Sequence, residues 1–536
     1  MAETPPPASP QMTSHGDLPA WRVADLPEPL PFNVRNLFRT IGPGAILLAT
    51  SIGAGELLAG PANGVKFGLS IFWIATVAIV LQTLFNLEGI RYTLYTGEPI
   101  LTGIMRLKPG SKFWGGLFSL LTVVQLGVPA LAALCGPVIF SILWGRLVGP
   151  DDTGMVLILS YAVMALAVVL LSFGGTIELM LERLSWGMII YIFTFLIIAN
   201  LVFVPAAHWQ ATLAGFVPIH TLFYLITGQI TVGSLISAAK VNDMLDDLLL
   251  LGTLAATAGA GGIGNLTISN WFRDKGMGMG QLVGSIGTVV GSEQHTVAPT
   301  GVVFPITTEN MRRWRTWWTY AKADQIWLWG LGCFVGIYLN VNLATMLIPP
   351  GTNLSGPNAA NYLPQTMSHL WSGFWYLALF NAFWILFSTH LGNTDVMVRT
   401  VTDIWWVASP KVREKAGGQI SRLYFTILVL VTIWSCFAIL SGEAMAMFKF
   451  LGFIANLVLS ISAVQILIVN RTLLPKELRP SLLRQGMLVA CALFYGVFFV
   501  LMGSNEIRKL VTPPTPPKSV APVEQPIPAA NSNRRT

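Results

Sequence analysis

Two glycine-rich interruptions stand in the middle of long apolar segments of this 536-residue chain. Glycine weakens an apolar helix and bares backbone amides and carbonyls, which a membrane tolerates only where that backbone lines a buried or wet cavity. Two such breaks at corresponding places in two halves of a chain are typical of a transporter's binding site. The residues predicted to form this site are Gly53, Ala54, Gly55, Glu56, Gly259, Gly261, Gly262 and Asn265.

Glu56 directly follows the first break, in a segment that is otherwise almost uncharged. A carboxylate at bilayer depth costs from about 3 kcal/mol upward, so this residue is a functional candidate, either as a cation ligand or as a proton carrier. The alternative is a structural role, because carboxylates are attracted to the amides at helix N-termini. The sequence leaves both interpretations open.

Asn265 lies just past the second break. Its amide oxygen could bind a metal ion, and an interhelical hydrogen bond is the alternative. We predict that Glu56 and Asn265 are the metal-binding side chains and that glycine carbonyls complete the site.

A second polar cluster runs from Ser388 to Arg399. With Glu56, its His390 and Asp395 form a candidate proton pathway. The alternative is a polar stripe in which Asp395 pairs with Arg399 four residues later on the helix.

The composition places these residues in a membrane. Hydrophobic residues make up 53% of the chain and charged residues 11%, against roughly 25% charged in soluble proteins. We therefore predict an all-α polytopic membrane protein with eleven transmembrane helices. Their predicted bounds are 38–64, 69–90, 114–145, 154–174, 185–204, 248–271, 326–347, 371–398, 423–441, 444–469 and 485–503.

The sequence shows no enzyme signature, because its glycine-rich segments lie inside apolar spans and not after a strand. No cofactor is expected, and a divalent cation is expected only as substrate. Four cysteines lie within apolar spans and are expected to pack as small hydrophobic residues. These are Cys135, Cys333, Cys436 and Cys491.

Basic residues divide unequally between alternate connections. One set carries twenty Lys and Arg between Arg91 and Arg484, and the other carries only Lys66, Arg146 and Lys240. The positive-inside rule assigns the rich set and the N-terminus to the cytoplasm. The net charge of +7 thus follows from topology, which predicts a multi-pass protein of the cytoplasmic (plasma or inner) membrane. The expected partners are lipid, the metal ion and protons, without nucleic acid; the oligomeric state stays open.

The order of the segments predicts two blocks of five helices, each opening with a broken helix. Because each block has five crossings, the second enters the membrane from the opposite side, as in an inverted repeat. The predicted divisions are a disordered cytoplasmic tail (1–35), a first repeat (36–204), an external connector (205–247), a second repeat (248–470), an eleventh helix (471–503) and a disordered tail (504–536).

Several short motifs follow one another along the first half of the chain: Gly42-Pro43-Gly44, Gly53-Ala54-Gly55-Glu56, Lys66-Phe67-Gly68 through Trp73, Gln82, Thr96-Gly97, Gly174 to Glu178, and Gly264-Asn265-Leu266 with Ser269. Together they resemble the Nramp (natural resistance-associated macrophage protein) divalent-metal transporters. The resemblance covers most of residues 38–275. It implies the leucine-transporter architecture, a 5+5 inverted repeat with helices 1 and 6 broken, and inward transport of divalent metal with protons.

The chain also departs from that family's pattern. Where the family has Asp-Pro-Gly-Asn in helix 1, this chain has Gly53-Ala54-Gly55-Glu56, and Gly262-Ile263-Gly264-Asn265 stands in place of Met-Pro-His-Asn in helix 6. The soft thioether is thus missing from the motif. One carboxylate, an amide and carbonyls suit a harder ion such as Mg²⁺ or Mn²⁺.

The predicted function is secondary active transport of such a divalent cation, with proton coupling through Glu56 as an option. Two alternatives stay open. One is a carrier of an organic solute such as an amino acid, and the other is a membrane receptor or scaffold of the same fold that does not transport.

Overall fold

A computed structural model of the chain describes residues 15–53, 55–173, 176–217, 247–287, 297–354 and 356–511. Ten helices in these ranges are long and apolar enough to cross a membrane. A pair of shorter helices, Leu248–Thr257 and Ile263–Asp274, supplies the sixth segment in chain order. The prediction of a polytopic helical membrane protein is confirmed, and each of the eleven predicted segments overlaps one of these elements.

The helices follow one another along the chain with few extended residues between them. In order they are α1 Val34–Thr40, α2 Pro43–Ser51, α3 Gly60–Phe67, α4 Trp73–Thr96, α5 Ile100–Met105, α6 Ser111–Leu126, α7 Ala130–Trp144, α8 Thr153–Ser172, α9 Ile177–Phe203, α10 Ala206–Phe216, α11 Leu248–Thr257, α12 Ile263–Asp274, α13 Thr308–Lys322, α14 Leu331–Leu347, α15 Tyr362–Ser368, α16 Gly373–Ala408, α17 Pro410–Lys415, α18 Ile420–Ala438, α19 Ala444–Thr472 and α20 Leu482–Val511. Wider π-helical turns span Gly55–Ala59 and Ala323–Gly330. Short 3₁₀ turns span Leu69–Ile71, Pro150–Asp152, Gly278–Leu282, Ala359–Asn361, Ile439–Ser441 and Lys476–Leu478.

Burial separates central helices from peripheral ones. The apolar stretch of the first broken segment, Pro43–Phe67, is 100% buried, whereas that of Leu482–Leu510 is 22% buried. Leu201, Leu430 and Val500 are exposed on peripheral helices. Since exposed apolar side chains on a membrane helix face lipid, the broken segments occupy the protein-filled centre of the bundle.

The predicted third span, 114–145, is present at Ser111–Trp144 but is interrupted in its middle. Helix α6 ends at Leu126 and α7 begins at Ala130. Pro129 lacks an N–H, and its ring clashes with the preceding turn, so it cannot continue α6. The interruption places the end of α6, including Gln125, beside the second break.

Residues 15–35 are not disordered, which corrects the predicted 1–35 tail; residues 1–14 lie outside the described ranges. Strand β1 (Arg22–Val23) pairs in parallel with β2 (Val302–Val303). Trp21 and Leu26 are buried, and the Trp317 Nε1–H donates to the Pro27 carbonyl at 2.9 Å. The tail packs because its apolar residues and backbone groups find partners on distant loops, which composition does not reveal.

Two other predicted divisions also change. The connector 205–247 begins with helix α10, and the part from 218 to 246 lies outside the described residues. Helix α20 continues to Val511, so residues 504–511 of the predicted disordered tail are helical.

Candidate binding site between the broken helices

The two breaks meet at one cavity of about 30 Å³. The cavity is lined by Gly55 of the first break and by Gly259 and Gly261 of the second. The polar side chains that line it are Thr50, Ser51, Gln125, Thr257, Thr389 and Asn393. All six are neutral, so the cavity presents oxygen and nitrogen dipoles and backbone groups without a charge. Ala54, also predicted at this site, lies outside the described residues.

Glycine is required at the first break by close packing. A Cβ at Gly53 would lie 2.0 Å from the Thr389 Oγ1, and one at Gly55 would lie 2.1 Å from the Thr257 carbonyl oxygen. Real Cβ atoms do not approach other atoms so closely. The first break therefore touches α16 on one side and the end of α11 on the other, which brings both broken segments together.

Glu56 is fully buried in the π-helical turn that follows the first break. Its Oε2 accepts a hydrogen bond from the Gly53 amide at 2.9 Å. Its Oε1 is buried and has no hydrogen-bond partner among the described residues. The carboxylate thus caps one amide of the break, as the structural alternative expects, and still has one oxygen available to a ligand.

Asn265 serves as a cap of the second break. Its Oδ1 accepts from the Gly262 amide at 3.1 Å, and its Nδ2 donates to the Asn86 Oδ1 at 2.9 Å. Gly262 has φ +83°, a conformation that favours glycine. No hydrogen bond of the described residues joins Asn265 to Glu56, and both polar groups of Asn265 are engaged by Gly262 and Asn86.

Two glutamines that the site prediction omitted hold the second break. The Gln82 Oε1 accepts from the Ala260 amide at 2.9 Å, and its Nε2 donates to the Ala256 carbonyl at 3.1 Å. The Gln125 Nε2 donates to the Gly261 carbonyl at 2.5 Å, and its Oε1 accepts from the Ile263 amide at 3.3 Å. A glutamine side chain both donates and accepts, which suits a break that exposes both kinds of backbone group.

The site prediction also omitted the buried carboxylate of Asp324, because the predicted seventh span began at residue 326. Its Oδ1 accepts from the Gly42 amide at 3.2 Å, and its Oδ2 accepts from the Gln325 Nε2 at 2.8 Å. The Asn86 Nδ2 donates to the Gln325 Oε1 at 3.0 Å. A chain of amide hydrogen bonds therefore connects Asp324, through Gln325 and Asn86, to Asn265 at the second break.

The structure does not connect the predicted proton-pathway residues His390 and Asp395 to Glu56 by hydrogen bonds among the described residues. Asp395 accepts hydrogen bonds from the Arg399 Nε at 2.9 Å, the Trp271 Nε1 at 2.9 Å and the Tyr424 hydroxyl at 2.7 Å. It is the paired carboxylate of the structural alternative. His390 lines a neighbouring cavity of about 30 Å³, and none of the hydrogen bonds of the described residues joins it to Glu56.

Ion pairs tie both ends of the broken segments. At one end, Asp247 at the start of α11 binds Lys66 of α3 at 2.8 Å and Lys449 at 3.4 Å. Burial favours the neutral form of Asp247, but these two cations outweigh it and lower the pKa of the carboxyl. At the other end, Arg273 binds Asp403 at 2.9 Å. Ion pairs therefore join the broken segments to neighbouring helices at both ends.

Within the described ranges, no three or more His, Cys, Asp or Glu side chains are grouped so that they could hold a metal ion. A metal at the breaks would depend on one carboxylate together with neutral and backbone donors. Such a donor set fits a cargo that is bound and released better than a resident ion.

Comparison with known proteins supports the fold. A mutant of the Eremococcus coleocola manganese transporter is similar in structure, with a TM-score of 0.62 and 13% identity, over 92% of this chain and 92% of that chain. The same transporter in complex with an aromatic bis-isothiourea substituted compound gives a TM-score of 0.57 at 12% identity, over 92% of this chain and 93% of that chain. Identities this low show the fold alone.

Comparison of sequences matches a smaller part of the chain. An uncharacterized protein of Pasteurella multocida (strain Pm70) is 25% identical over 139 residues, which cover 25% of this chain. The match spans about 30% of that relative's length. No protein-family model matches the chain. The chain is thus a polytopic helical membrane protein that shares the fold of a manganese transporter.

Proposed function

We propose that this protein is a secondary active transporter that carries a divalent metal cation through the space between its two broken helices. The proposal rests on the buried Oε1 of Glu56, which has no hydrogen-bond partner among the described residues. Glu56 itself is not among the residues that line the cavity, but it directly follows Gly55, which is. An isolated buried carboxylate is costly, and a bound cation would compensate for its charge. A manganese transporter shares the fold, and the proposal extends its class of cargo to this chain.

The size of the cavity favours an ion over an organic solute. A single water needs roughly 10–15 Å³ of space of this kind, so about 30 Å³ accommodates an ion with little hydration. An amino acid would require several times that volume. Because the lining donors are mainly oxygens, Mg²⁺ and Mn²⁺ are the first cargoes to test.

Alternating access would open the two ends in turn. The Lys66–Asp247 pair and the Arg273–Asp403 pair lie at opposite ends of the second broken segment, and we expect each pair to separate when its end opens. The distribution of basic residues supports an orientation with the Arg273 end in the cytoplasm. Proton coupling, if the transporter uses it, involves Glu56, since Asp395 is already paired in a stable ion pair.

Flux into liposomes tests the proposal. Purified protein is reconstituted with dyes sensitive to Mg²⁺, Mn²⁺ and pH inside the vesicles, and wild type is compared with Glu56→Gln. The control is Glu506→Gln, whose carboxylate is 42% exposed. We expect flux in wild type and control and a reduction of about tenfold or more in Glu56→Gln, which corresponds to about 1.4 kcal/mol.

Equal flux in Glu56→Gln and wild type would contradict the role of Glu56. A complete lack of flux, with no stabilisation by any cation or amino acid, would favour the receptor or scaffold alternative. Stabilisation by amino acids and not by metals would favour the organic-solute carrier.

A further inference from the structure

A groove of about 430 Å³ opens on the outer surface of the bundle between α4, α20 and the span that ends with α14. Most of its lining is apolar and includes Val80, Trp327 and Leu331, whose side chains are exposed. Exposed apolar side chains on membrane helices face hydrocarbon. The groove is therefore open to the lipid and separate from the cavity between the breaks.

The length of the groove matches one acyl chain. Along α4 its lining runs from Thr76 to Leu87, which is about 16 Å at about 1.5 Å per residue. The hydrocarbon core of a bilayer is about 30 Å thick, so the chains of one leaflet extend over about 15 Å. Leu87 lies at the end of the groove where Arg484 lines it, because the neighbouring Glu88 binds that arginine at 2.8 Å.

This end of the groove carries more positive than negative charge. The Glu88 carboxylate pairs with Arg91 at 2.7 Å and with Arg484 at 2.8 Å. In the described ranges, neither arginine forms an ion pair with another acid. Two guanidinium groups against one carboxylate leave one positive charge without a counterion. The Trp318 ring lies against both groups, with its centroid 4.3 Å from the Arg91 Cζ and 5.3 Å from the Arg484 Cζ, and so holds them side by side.

Arg484 keeps donors for an anion. Its Nη1 donates to the Glu88 Oε1 at 2.8 Å, and no other hydrogen bond of Arg484 is found in the part of the chain that the structure describes. The side chain is 25% exposed. A guanidinium group has several N–H donors in a planar fork that matches phosphate. The positive-inside rule predicts that this end of the groove lies at the cytoplasmic surface, where anionic headgroups are found.

We propose that the groove binds one anionic phospholipid of the cytoplasmic leaflet, with its phosphate on Arg484 and an acyl chain along α4. Such a lipid would touch elements that also hold the second break. Asn86 of α4 binds Gln325, and the wide turn that contains Gln325 also places Trp327 in the groove. The lipid site lies outside the cavity between the breaks, so it stands whether or not the protein carries a cation.

Lipid binding to the full-length protein tests the proposed site. Native mass spectrometry of the detergent-purified protein, titrated with phosphatidylglycerol or with phosphatidylcholine, counts the bound lipids and gives their Kd. We expect wild type to bind the first phosphatidylglycerol about fivefold more tightly than phosphatidylcholine, which corresponds to about 1 kcal/mol for one arginine beside anionic lipid. Arg484→Gln should lose this preference. The control Arg471→Gln, at an exposed position in the last turn of α19, should keep it.

A second pair of variants tests the apolar part of the groove. Val80→Trp fills it without a change of charge and should weaken the binding of both lipids, whereas Val169→Trp, at a similarly exposed position on α8, should not. Equal affinity of wild type for the two lipids, or an unchanged preference in Arg484→Gln, would overturn the headgroup site. Unchanged binding in Val80→Trp would overturn the acyl-chain site. Thermal unfolding shows whether each variant is folded, and the comparison of the two lipids on wild type needs no substitution.

Discussion

The backbone exposed at the second break has side-chain partners on several sides, whereas at the first break one carboxylate oxygen has no hydrogen-bond partner among the described residues. Gln82, Gln125 and Asn265 bind amides and carbonyls between Ala256 and Ile263. At the first break, Glu56 accepts from the Gly53 amide through Oε2 alone. On the proposed function, we expect the second break to stay fixed and the first to exchange the cation.

The largest effect on stability is expected from the glycines that let the breaks approach. Gly55→Ala would place a Cβ 2.1 Å from the Thr257 carbonyl oxygen, and backbone cannot retreat as a side chain can, so we expect a loss of about 3 kcal/mol or more. The control is Gly264→Ala, whose Cβ would lie 3.5 Å from that of Ala260 and which should be neutral or stabilising. Thermal unfolding in detergent measures both, and similar unfolding temperatures would mean that the breaks are not tightly packed.

The fixed second break should depend strongly on Gln125. Gln125→Leu removes both of its hydrogen bonds and leaves the Gly261 carbonyl and the Ile263 amide without them, at a cost of about 2–3 kcal/mol. Gln281→Leu, at an exposed position, is the control. If Gln125→Leu unfolds at the wild-type temperature, the second break is not held by this side chain.

At the first break, replacing the polar side chain should not lower stability as it does at the second. In metal-free protein, Glu56→Gln should keep its stability within about 1 kcal/mol of wild type or raise it, because the amide oxygen still accepts from Gly53 and the cost of a buried charge disappears. A cation at a hundred times its Kd should stabilise wild type by about 2.7 kcal/mol and leave the variant unchanged. Equal stabilisation of the two proteins would place the cation elsewhere.

The smallest expected effect on stability is the pH dependence that Glu98 contributes. This buried carboxylate, unlike that of Glu56, has partners for both of its oxygens. Burial favours the neutral form of Glu98, but hydrogen bonds and the charge of Arg106, at 2.5 and 2.9 Å, outweigh it and lower the pKa of Glu98. Its contribution to stability is therefore present above the ordinary carboxyl pKa of about 4.3 and is lost as the pH falls below that value. Unfolding temperatures measured across this range should fall for wild type and change less for Glu98→Gln, and parallel curves would contradict the pairing.

The sequence predicted the fold well because its signals are local. The length of each apolar run was enough to predict the eleven segments. Glu56 was predicted as a site residue because it is an acid in an otherwise almost uncharged span. The glycines at 55, 259 and 261 were found because a break disturbs the pattern of its own segment.

The rest of the site depends on contacts between distant parts of the chain. Gln82 and Gln125 look like ordinary polar residues until α4 and α6 are placed against the second break. Asp324 was missed because the predicted span began at residue 326, two residues after it, whereas the helical span begins at Thr308. Packing of the tail from residue 15 onward likewise depends on loops that lie about 80 to 300 residues away.

An experimental structure of the full-length protein soaked with Mn²⁺, with the metal located by anomalous scattering, tests most directly whether Glu56 binds the cation. We expect one peak beside the Glu56 Oε1. A peak elsewhere in the bundle, or no peak in crystals that hold the metal at saturating concentration, would contradict this role of Glu56.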